Sequence, residues 1–304
     1  MVDFKDRVAI VTGSGGGLGR QHALLLAARG AAVVVNDLGG NVDGTGQATS
    51  AADGVVAEIE AAGGAAVAEY SSVASADGAE AIVQKAIETF GHVDIVVNNA
   101  GILRDKAFHN METEQIAAVL DVHLRGSMFV TRAAWPHLRE QNYGRVVMTS
   151  SASGVLGNFG QANYGAAKMG LVGLVNVLKL EGAKYNIRVN AIAPIAVTRM
   201  TEELLGAFGI TEEQFGPELV SPAVAYLASE DCELTGEVWS VGGGSISRMF
   251  VGLADGYFKN PLSEGGLTVE DVAGHLDEIR STDGYLIPTS NQEEFQKLGA
   301  KFAG

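Results

Sequence analysis

Short apolar runs alternate with longer helical stretches along the first 245 residues of the chain. The runs are nearly continuous in valine, isoleucine and alanine, which is typical of parallel strands covered on both faces. They lie at residues 8–12, 31–36, 65–69, 93–98, 145–150, 188–192 and 237–241. The stretches long enough to be crossover helices lie at 18–29, 51–62, 79–90, 113–140 and 164–184. This alternation predicts an α/β fold, a doubly wound parallel sheet of about seven strands.

The length of 304 residues allows one or two domains. One sheet accounts for residues 1–245 as a single domain. Residues 246–304 show no strand and helix alternation, so we expect a C-terminal extension that packs on the active-site side or on a partner subunit, with its best helix at 267–279. Residues 38–50 are too rich in glycine for regular structure and predict a mobile loop after the second strand.

Composition excludes several classes of protein. The chain has 21 Lys and Arg against 36 Asp and Glu, a formal charge of −15, which disfavours binding to nucleic acid. The single cysteine, Cys232, cannot form an internal disulfide or a zinc cluster, so we expect a reducing, cytoplasmic compartment and no metal site. Charged residues such as Arg29 and Lys168 interrupt the most apolar stretches, so we expect no membrane span.

A cluster of glycines follows the first predicted strand and precedes the first predicted helix. Gly13, Gly17 and Gly19 have the spacing Gly-x-x-x-Gly-x-Gly. Glycines at such a junction allow a tight turn and bring backbone N–H groups close to a pyrophosphate, which the helix N-terminus also favours. The position predicts dinucleotide binding; the alternative is a plain flexible turn.

Asp37 ends the second predicted strand, where the adenosine ribose of such a cofactor lies. A carboxylate accepts hydrogen bonds from both ribose hydroxyls and repels a 2′-phosphate, so Asp37 predicts NAD rather than NADP. In the alternative interpretation, Asp37 only caps the following loop, as aspartate often does at turns.

Tyr164 and Lys168 lie four residues apart, on one face of a predicted helix. A phenol with a pKa near 10 is a poor base at neutral pH, whereas a nearby ammonium and a positive nicotinamide ring stabilise the phenolate. Ser151 follows the fifth predicted strand, where its hydroxyl can hold a substrate oxygen. The pattern Tyr-x-x-x-Lys alone is common in helices, so this assignment depends on the other motifs.

Taken in this order, the glycine loop, Asp37, the turn 98–101, Ser151, Tyr164 and Lys168 resemble the short-chain dehydrogenase/reductase family over about the first 245 residues. The resemblance implies a Rossmann-type sheet, with Tyr164 as general acid/base, Lys168 on the nicotinamide ribose and Ser151 orienting the reacting oxygen. It also implies a cofactor site formed by Gly13, Gly17, Leu18, Gly19, Asp37, Ser72, Val73, Asn99, Ala100, Gly101, Tyr164, Lys168, Pro194 and Thr198.

Longer strings resemble one branch of this family, the dehydrogenase region of peroxisomal multifunctional enzymes of type 2. They lie at residues 36–40, 101–108, 151–154, 157–164 and 193–196. This resemblance implies oxidation of a (3R)-3-hydroxyacyl-CoA to the 3-oxoacyl-CoA with NAD, and it also implies 17β-hydroxysteroid dehydrogenase activity and homodimers. Because hydratase and sterol-carrier regions do not follow and the chain ends in Lys-Phe-Ala-Gly, we expect a free-standing cytoplasmic relative, a homodimer or homotetramer.

Three positions depart from the wider family pattern. His123 stands where most relatives have an asparagine that completes the catalytic set; it is either a proton-relay residue that titrates near neutrality or a helix-packing residue. Ser72 replaces an aspartate that contacts adenine, so adenine recognition is expected to depend on a hydroxyl and the backbone. Ile195 replaces a glycine after Pro194, while Thr198 keeps its place for the nicotinamide amide.

The substrate site is the least determined by the sequence. A CoA substrate requires a local basic patch in this acidic chain, and ordinary surface charge is the alternative for each of the candidates Arg104, Lys106, Arg199 and Arg248. An apolar cleft for an acyl chain or steroid rings, or simply core packing, is predicted for Phe159, Met200, Leu204, Leu205 and Phe208.

Three activities remain open on the sequence alone. The first is (3R)-3-hydroxyacyl-CoA dehydrogenase. The second is a dehydrogenase for a hydroxysteroid or for a steroid with a CoA thioester side chain. The third is a scaffold that binds NAD without catalysis, which intact Ser151, Tyr164 and Lys168 disfavour. A carrier-protein reductase is also disfavoured, because Asp37 argues against NADPH.

Overall fold

The computed structural model describes residues 2–198, 200–202, 206 and 209–302. The chain divides into two compact units, one ending at Arg248 and the other beginning at Met249. The first unit contains one sheet flanked by helices, which confirms the predicted α/β class. Within the described ranges, no helix is long and apolar enough to cross a membrane.

The described residues form an eight-stranded sheet in the order β3-β2-β1-β4-β5-β6-β7-β8. The strands are Val8–Thr12, Ala32–Asn36, Ala65–Glu69, Ile95–Asn98, Gly144–Thr149, Ile187–Pro194, Val238–Gly242 and Ser245–Met249. Pairs from β1 to β7 are parallel, and β1 pairs with both β2 and β4. The strand order reverses at β1, so the doubly wound prediction is confirmed. In open sheets of this kind, ligands generally bind in the crevice at such a reversal.

The eighth strand was not predicted. β8 follows the glycine turn at 242–244, and its residues Ser245 to Arg248 are exposed while Met249 is half-buried. An exposed edge strand has no continuous apolar run, so its sequence lacks the pattern that marked the other seven. The break between the two compact units, after Arg248, falls one residue before the end of this strand.

The first seven described α-helices, α1 to α7, are Gly17–Ala28, Ser50–Ala61, Ala76–Phe90, Thr113–Leu120, Gly126–Glu140, Ala152–Val155 and Ala162–Gly182. Further described helices lie at Glu212–Phe215 and Ser221–Ala228. The stretch predicted as one helix over 113–140 is α4 and α5 joined by a π turn, Asp121–Arg125. α3 starts earlier than predicted because Ser75 caps it, its hydroxyl accepting from the Gly78 N–H at 3.1 Å.

The core of the first unit lies on both faces of the central strands. Every residue of β1, β4 and β5 is buried. Such burial stabilises the fold by about 1.5–3 kcal/mol for each large apolar side chain. The strands therefore form a rigid platform, and the loops at their carboxyl ends carry the candidate functional residues.

The second unit has its own contacts. Leu253 and Leu286 form an antiparallel bridge, and the rings of Phe250 and Tyr285 stack with centroids 5.8 Å apart. Its helices are Val269–Gly274, Leu276–Arg280 and Asn291–Ala300, so the helix predicted over 267–279 is two short helices. Many of its apolar side chains are exposed, among them Leu262 and Val269. Packing on the active-site side or on a partner subunit stays a prediction.

Candidate active site

The loop between β1 and α1 has the geometry predicted for a phosphate loop. Gly13 and Gly17 have φ of +64° and +51°, in the left-handed region that favours glycine. A Cβ on Gly19 would lie 2.2 Å from the Gly13 carbonyl oxygen, and one on Gly13 would lie 2.7 Å from Ala100 Cα. Close approach of backbone to backbone therefore requires glycine at positions 13 and 19, whereas the positive φ favours glycine at position 17. Leu18, between them, packs against the core.

The N-terminus of α1 is suited to an anion. Among the described residues, no side chain caps Gly16, and the first turn has no acidic residue. The first N–H groups of this 12-residue helix therefore have no side-chain acceptor from the N-cap, and the positive end of the helix dipole lies there. This arrangement fits the pyrophosphate of a dinucleotide.

Asp37 lies directly after β2 and faces the phosphate loop. Its Oδ2 accepts a hydrogen bond from the Gly15 N–H at 2.7 Å, and its Oδ1 accepts one from the Gly39 N–H at 2.6 Å. The carboxylate therefore caps the next loop, as the alternative interpretation predicted. An ionised carboxylate offers about four acceptor positions, so two of them are not used by these backbone groups. The contact with ribose hydroxyls stays a prediction.

The residues predicted to contact adenine, Ser72 and Val73, follow β3, the strand that pairs with β2. The Ser72 hydroxyl accepts a hydrogen bond from the Ala74 N–H at 3.2 Å, and Val73 is buried. Sequence reasoning missed Glu69, a buried carboxylate at the end of β3. Its Oε2 accepts from Asn36 Nδ2 at 2.7 Å, and its Oε1 accepts from the Ser71 N–H at 2.9 Å. Glu69 thus fixes the 69–73 segment against β2.

The turn after β4 is joined to the phosphate loop. Asn99 Nδ2 donates to the backbone carbonyls of Thr12 and Gly13, each at 3.0 Å. The Thr12 hydroxyl accepts from the N–H groups of Asn99 and Ala100 at 3.0 and 3.1 Å. Asn99 and Ala100 therefore position the cofactor cradle. Sequence reasoning missed this role of Thr12, because a threonine at the end of a strand has no distinguishing sequence signal.

Ser151, Tyr164 and Lys168 meet at the carboxyl end of β5. Lys168 extends from α7, is 3% exposed, and donates from Nζ to the Thr149 carbonyl. Its ammonium lies 5.4 Å from the centroid of the Tyr164 ring. Ser151 caps α6 by accepting from the Ser153 N–H at 3.1 Å, and its hydroxyl lies close enough to the Tyr164 phenol to lower the pKa of that phenol. The structure thus brings the three predicted catalytic residues together.

The electrostatics differ from the sequence expectation. We expected Lys168 to lower the pKa of Tyr164, but burial raises the pKa of Tyr164 and the bond from Ser151 only partly offsets it. Burial also lowers the pKa of Lys168 to about 7. In the protein alone, desolvation is the largest cause of both pKa shifts, and a lysine that titrates near 7 carries only part of its charge at neutral pH. The expectation omitted this desolvation.

His123 lies in the π turn beside Tyr164. Its ring is edge-on to the phenol ring, with centroids 5.1 Å apart. Nε2 lies 3.0 Å from the Ile102 backbone nitrogen and 2.8 Å from the Ile102 oxygen, while Nδ1 is buried with no partner among the described residues. Burial, and then the charge of Lys168, hold its pKa well below 6.5. The expectation that it titrates near neutrality is therefore wrong.

The remaining residues predicted to bind the cofactor are Gly101, Pro194 and Thr198. A Cβ on Gly101 would lie 2.3 Å from His123 Cε1, so only glycine fits there. Pro194 ends β6. The Thr198 hydroxyl lies 3.2 Å from that of Thr201, and a Cβ on Gly17 would lie 3.6 Å from Thr198 Cγ2. Thr198 therefore faces the phosphate loop from the opposite wall.

The candidate substrate residues are only partly brought to the site. Lys106 and Arg248 form ion pairs with Glu112 and Glu237, at 3.4 and 3.0 Å, so acidic neighbours balance their charges. Arg104 donates from Nε to the Asp43 carbonyl at 2.9 Å. Phe159 is 89% exposed and Met200 is half-buried, so neither is core. Outside the described residues lie Arg199, Leu204, Leu205 and Phe208.

No cluster of three or more His, Cys, Asp or Glu side chains that could hold a metal ion occurs in the described part of the chain. The polar groups at the site are instead a phenol, an ammonium, a hydroxyl and backbone N–H groups at a glycine cradle. Together with the strand reversal beside them, they define a nicotinamide-dependent oxidoreductase of the Rossmann type.

Residues 7–206 match the short chain dehydrogenase family. The chain belongs to that family and is an oxidoreductase that uses a nicotinamide cofactor. It is 56% identical over 288 residues to a short-chain type dehydrogenase/reductase of Mycobacterium tuberculosis, covering 94% of this chain and 98% of that one.

Two longer proteins are also similar. The mouse peroxisomal multifunctional enzyme type 2 is 54% identical over 246 residues, which cover 81% of this chain and 33% of the mouse enzyme. The solved full-length enzyme of the same name from Drosophila melanogaster superposes with a TM-score of 0.80 at 39% identity, covering 98% of this chain and 49% of the fly chain. This chain thus spans about a third to a half of these enzymes.

Proposed function

We propose that this protein oxidises a (3R)-3-hydroxyacyl-CoA to the 3-oxoacyl-CoA with NAD. The observation that carries the proposal is the assembly of Ser151, Tyr164 and Lys168 beside the glycine cradle. This assembly lies in a chain that is 54% identical to the mouse peroxisomal multifunctional enzyme type 2 over their shared region. The sequence strings at 101–108 and 157–164 support the same branch of the family.

The proposed reaction needs one proton acceptor and one hydride acceptor. When bound, NAD⁺ supplies the hydride acceptor and becomes NADH. The Ser151 hydroxyl orients the substrate hydroxyl, and the Tyr164 phenolate takes its proton as the carbon–hydrogen bond breaks. The products are the ketone, NADH and a proton that Tyr164 passes on to solvent. Alignment of the reacting groups is the main contribution of the protein.

Proton release requires a path from Tyr164 to solvent, and Lys168 is its first proposed member. A pKa of about 7 lets Lys168 accept and release a proton near neutral pH. His123 is the second candidate. Its buried Nδ1 has no hydrogen-bond partner among the described residues, so we propose that it binds a water molecule of the proton path. It acts as a neutral hydrogen-bonding group in this scheme, since its pKa lies well below 6.5.

NAD in preference to NADP is part of the proposal. Asp37 supports it, because its carboxylate lies 2.7 Å from the Gly15 N–H of the candidate phosphate loop and would repel a 2′-phosphate on the adenosine ribose. A phosphate there would meet a negative charge at close range, and like charges brought together cost several kcal/mol. A homodimer or homotetramer in the cytoplasm stays a prediction from the sequence.

A panel of alcohols tests the substrate. The purified protein is mixed with NAD and, in parallel, a (3R)-3-hydroxyacyl-CoA, its (3S) epimer and a free 17β-hydroxysteroid, and NADH is followed at 340 nm. Turnover confined to the (3R) thioester is the expected result. If only the steroid reacts, the hydroxysteroid alternative replaces the proposal. If none of the three reacts while NADH still binds, the scaffold alternative replaces it.

A further inference from the structure

The residue before Tyr164 is an asparagine that is only 2% exposed. Asn163 Nδ2 donates two hydrogen bonds, one to the Arg104 carbonyl at 3.1 Å and one to the Gln115 carbonyl at 3.2 Å. Its Oδ1 accepts a hydrogen bond from the Tyr164 N–H at 2.8 Å. Both amide donors are used, and the three bonds reach three different segments of the chain. Nothing in the proposed chemistry accounts for them.

The bond to Tyr164 supplies a partner that the helix cannot supply itself. α7 begins at Ala162, and the backbone bond that opens it runs from the Gly165 N–H to the Gln161 carbonyl at 2.6 Å. The Tyr164 N–H precedes Gly165, in the first turn, where N–H groups lack an intrahelical acceptor. Asn163 therefore fixes the backbone of the residue that carries the reacting phenol.

The two bonds that Asn163 donates join the start of α7 to two other segments of the chain. Arg104 belongs to the loop after β4, whose Ile102 contacts His123. Gln115 belongs to α4, which leads into the π turn that carries His123. Asn163 is thus the common partner of the Tyr164 backbone, the 101–106 loop and the helix before His123.

Two further hydrogen bonds join the same two segments of the chain. Gln161 Nε2 donates to Asp105 Oδ2 at 2.6 Å, and the Lys106 N–H donates to the Gly160 carbonyl at 2.9 Å. Segment 104–106 therefore lies antiparallel to segment 160–163. Among these links, the bond between Asn163 Oδ1 and the Tyr164 N–H is the one that reaches Tyr164 itself.

We propose that Asn163 is a positioning residue of the reaction. It holds the 101–106 loop and the start of α7 at a fixed separation, so that a substrate hydroxyl meets Tyr164 and Ser151 in a single geometry. Its amide does not touch the reacting atoms. A displacement of about 1 Å at a reacting group reduces the rate about 100-fold, which sets the size of the expected effect. The proposal rests on the assignment of Tyr164 as the proton acceptor.

The test compares Asn163→Asp and Asn163→Ala in the full-length protein. Asn163→Asp keeps the acceptor for the Tyr164 N–H but loses both donors, and Asn163→Ala loses all three bonds. Asn176→Ala is the matched control, because Asn176 is an exposed residue of the same helix. We expect kcat to fall about 10- to 100-fold in both Asn163 variants, with the Kd for NADH changed less than about twofold and the control unchanged.

Each result decides the proposal. A kcat per folded molecule within twofold of wild type overturns it, and so does a loss of NADH affinity as large as the loss of kcat, which would indicate general unfolding of the site. If wild type oxidises a different alcohol, the proposed function fails, and the same ratios measured with that alcohol still decide the role of Asn163.

Hydrogen exchange provides a readout that needs no substrate. Backbone amides in the 101–106 loop should exchange faster in Asn163→Asp than in wild type, while the amides of β1 remain unchanged. Unchanged exchange in that loop overturns the proposal even if the enzyme turns over none of the alcohols tested.

Discussion

The imidazole of His123 lies edge-on to the phenol of Tyr164, with the ring planes at 89° and the centroids 5.1 Å apart. A π turn places His123 there, between two ordinary helices. Such turns are frequent at functional sites because one extra residue per turn redirects side chains. Burial of His123 and Lys168 beside Tyr164 shifts their pKa values, and the first predictions depend on these shifts.

His123 stays neutral over the working pH range, because burial and Lys168 hold its pKa well below 6.5. We therefore expect His123→Asn to leave both limbs of the pH profile of kcat/KM unmoved between about pH 6 and pH 9. The value of kcat should fall by less than about tenfold, since an amide also holds a water molecule. Initial rates across this pH range provide the measurement. An acidic limb that disappears in the variant would show that His123 titrates during turnover.

Lys168 makes the free protein less stable at neutral and acidic pH. Its pKa falls from 10.5 in the unfolded chain to about 7 in the folded protein, so folding favours the neutral form. The unfolded chain binds more protons between these values, and stability from this group rises as pH rises from about 7 to about 10.5. Lys168→Met should be inactive, and its Tm relative to wild type should be highest below pH 7 and should decline toward pH 10.

Thermal unfolding of both proteins at pH 6, 8 and 10, without cofactor, measures this difference. Lys168→Met also loses the bond to the Thr149 carbonyl, which shifts its Tm by a similar amount at each pH. The trend with pH is therefore the decisive quantity. A Tm difference that is constant across the three pH values would contradict the lowered pKa of Lys168.

Gly19→Ala should abolish cofactor binding. A Cβ at this position would lie 2.2 Å from the Gly13 oxygen and 2.5 Å from Asn99 Nδ2, so the phosphate loop must open. We expect the Kd for NADH to rise at least about 100-fold, since a rigid cradle cannot be displaced without loss of its N–H contacts. Fluorescence titration with NADH provides the measurement.

Gly54→Ala is the control for that experiment. Gly54 lies within α2, and a Cβ there meets nothing within 4 Å among the described residues. Alanine in a helix interior is more stable than glycine by about 0.5–1 kcal/mol. The control should therefore bind NADH normally and unfold at a slightly higher temperature. Normal binding by Gly19→Ala would refute the assignment of this loop as the phosphate cradle.

Asp37→Ala should reduce the proposed preference for NAD over NADP. The change removes the charge that repels a 2′-phosphate and the acceptor of the Gly15 and Gly39 N–H groups. The ratio of kcat/KM with NAD to kcat/KM with NADP should fall about 10- to 100-fold, in keeping with a loss of one close charge repulsion. Steady-state rates with both cofactors measure it. An unchanged ratio would mean that Asp37 only caps its loop.

Much of the fold was predictable because parallel strands buried on both faces have continuous apolar runs, as in β1 and β5. The exposed strand β8 has no such run and was missed. The π turn at Asp121–Arg125 was also missed, since helical periodicity is the same on either side of one inserted residue. Local patterns identify an element, but they do not show how it meets its neighbours.

The candidate site shows the same limit. Tyr164, Lys168 and Asp37 were predictable because their spacing and their place after strands indicate chemistry. Asn163 was quoted in a motif without a role, because its function comes from carbonyls 48 and 59 residues away in the chain. The pKa values of Lys168 and His123 depend on burial, which a sequence does not report.

The most direct test of the whole account is the turnover of Tyr164→Phe with a (3R)-3-hydroxyacyl-CoA and NAD. The variant keeps the ring but has no hydroxyl to take the substrate proton. We predict a loss of kcat of at least about 1,000-fold, on the scale of general acid–base catalysis, with NADH binding unchanged in a fluorescence titration. Turnover within tenfold of wild type would contradict the account, because the proton would then have another acceptor.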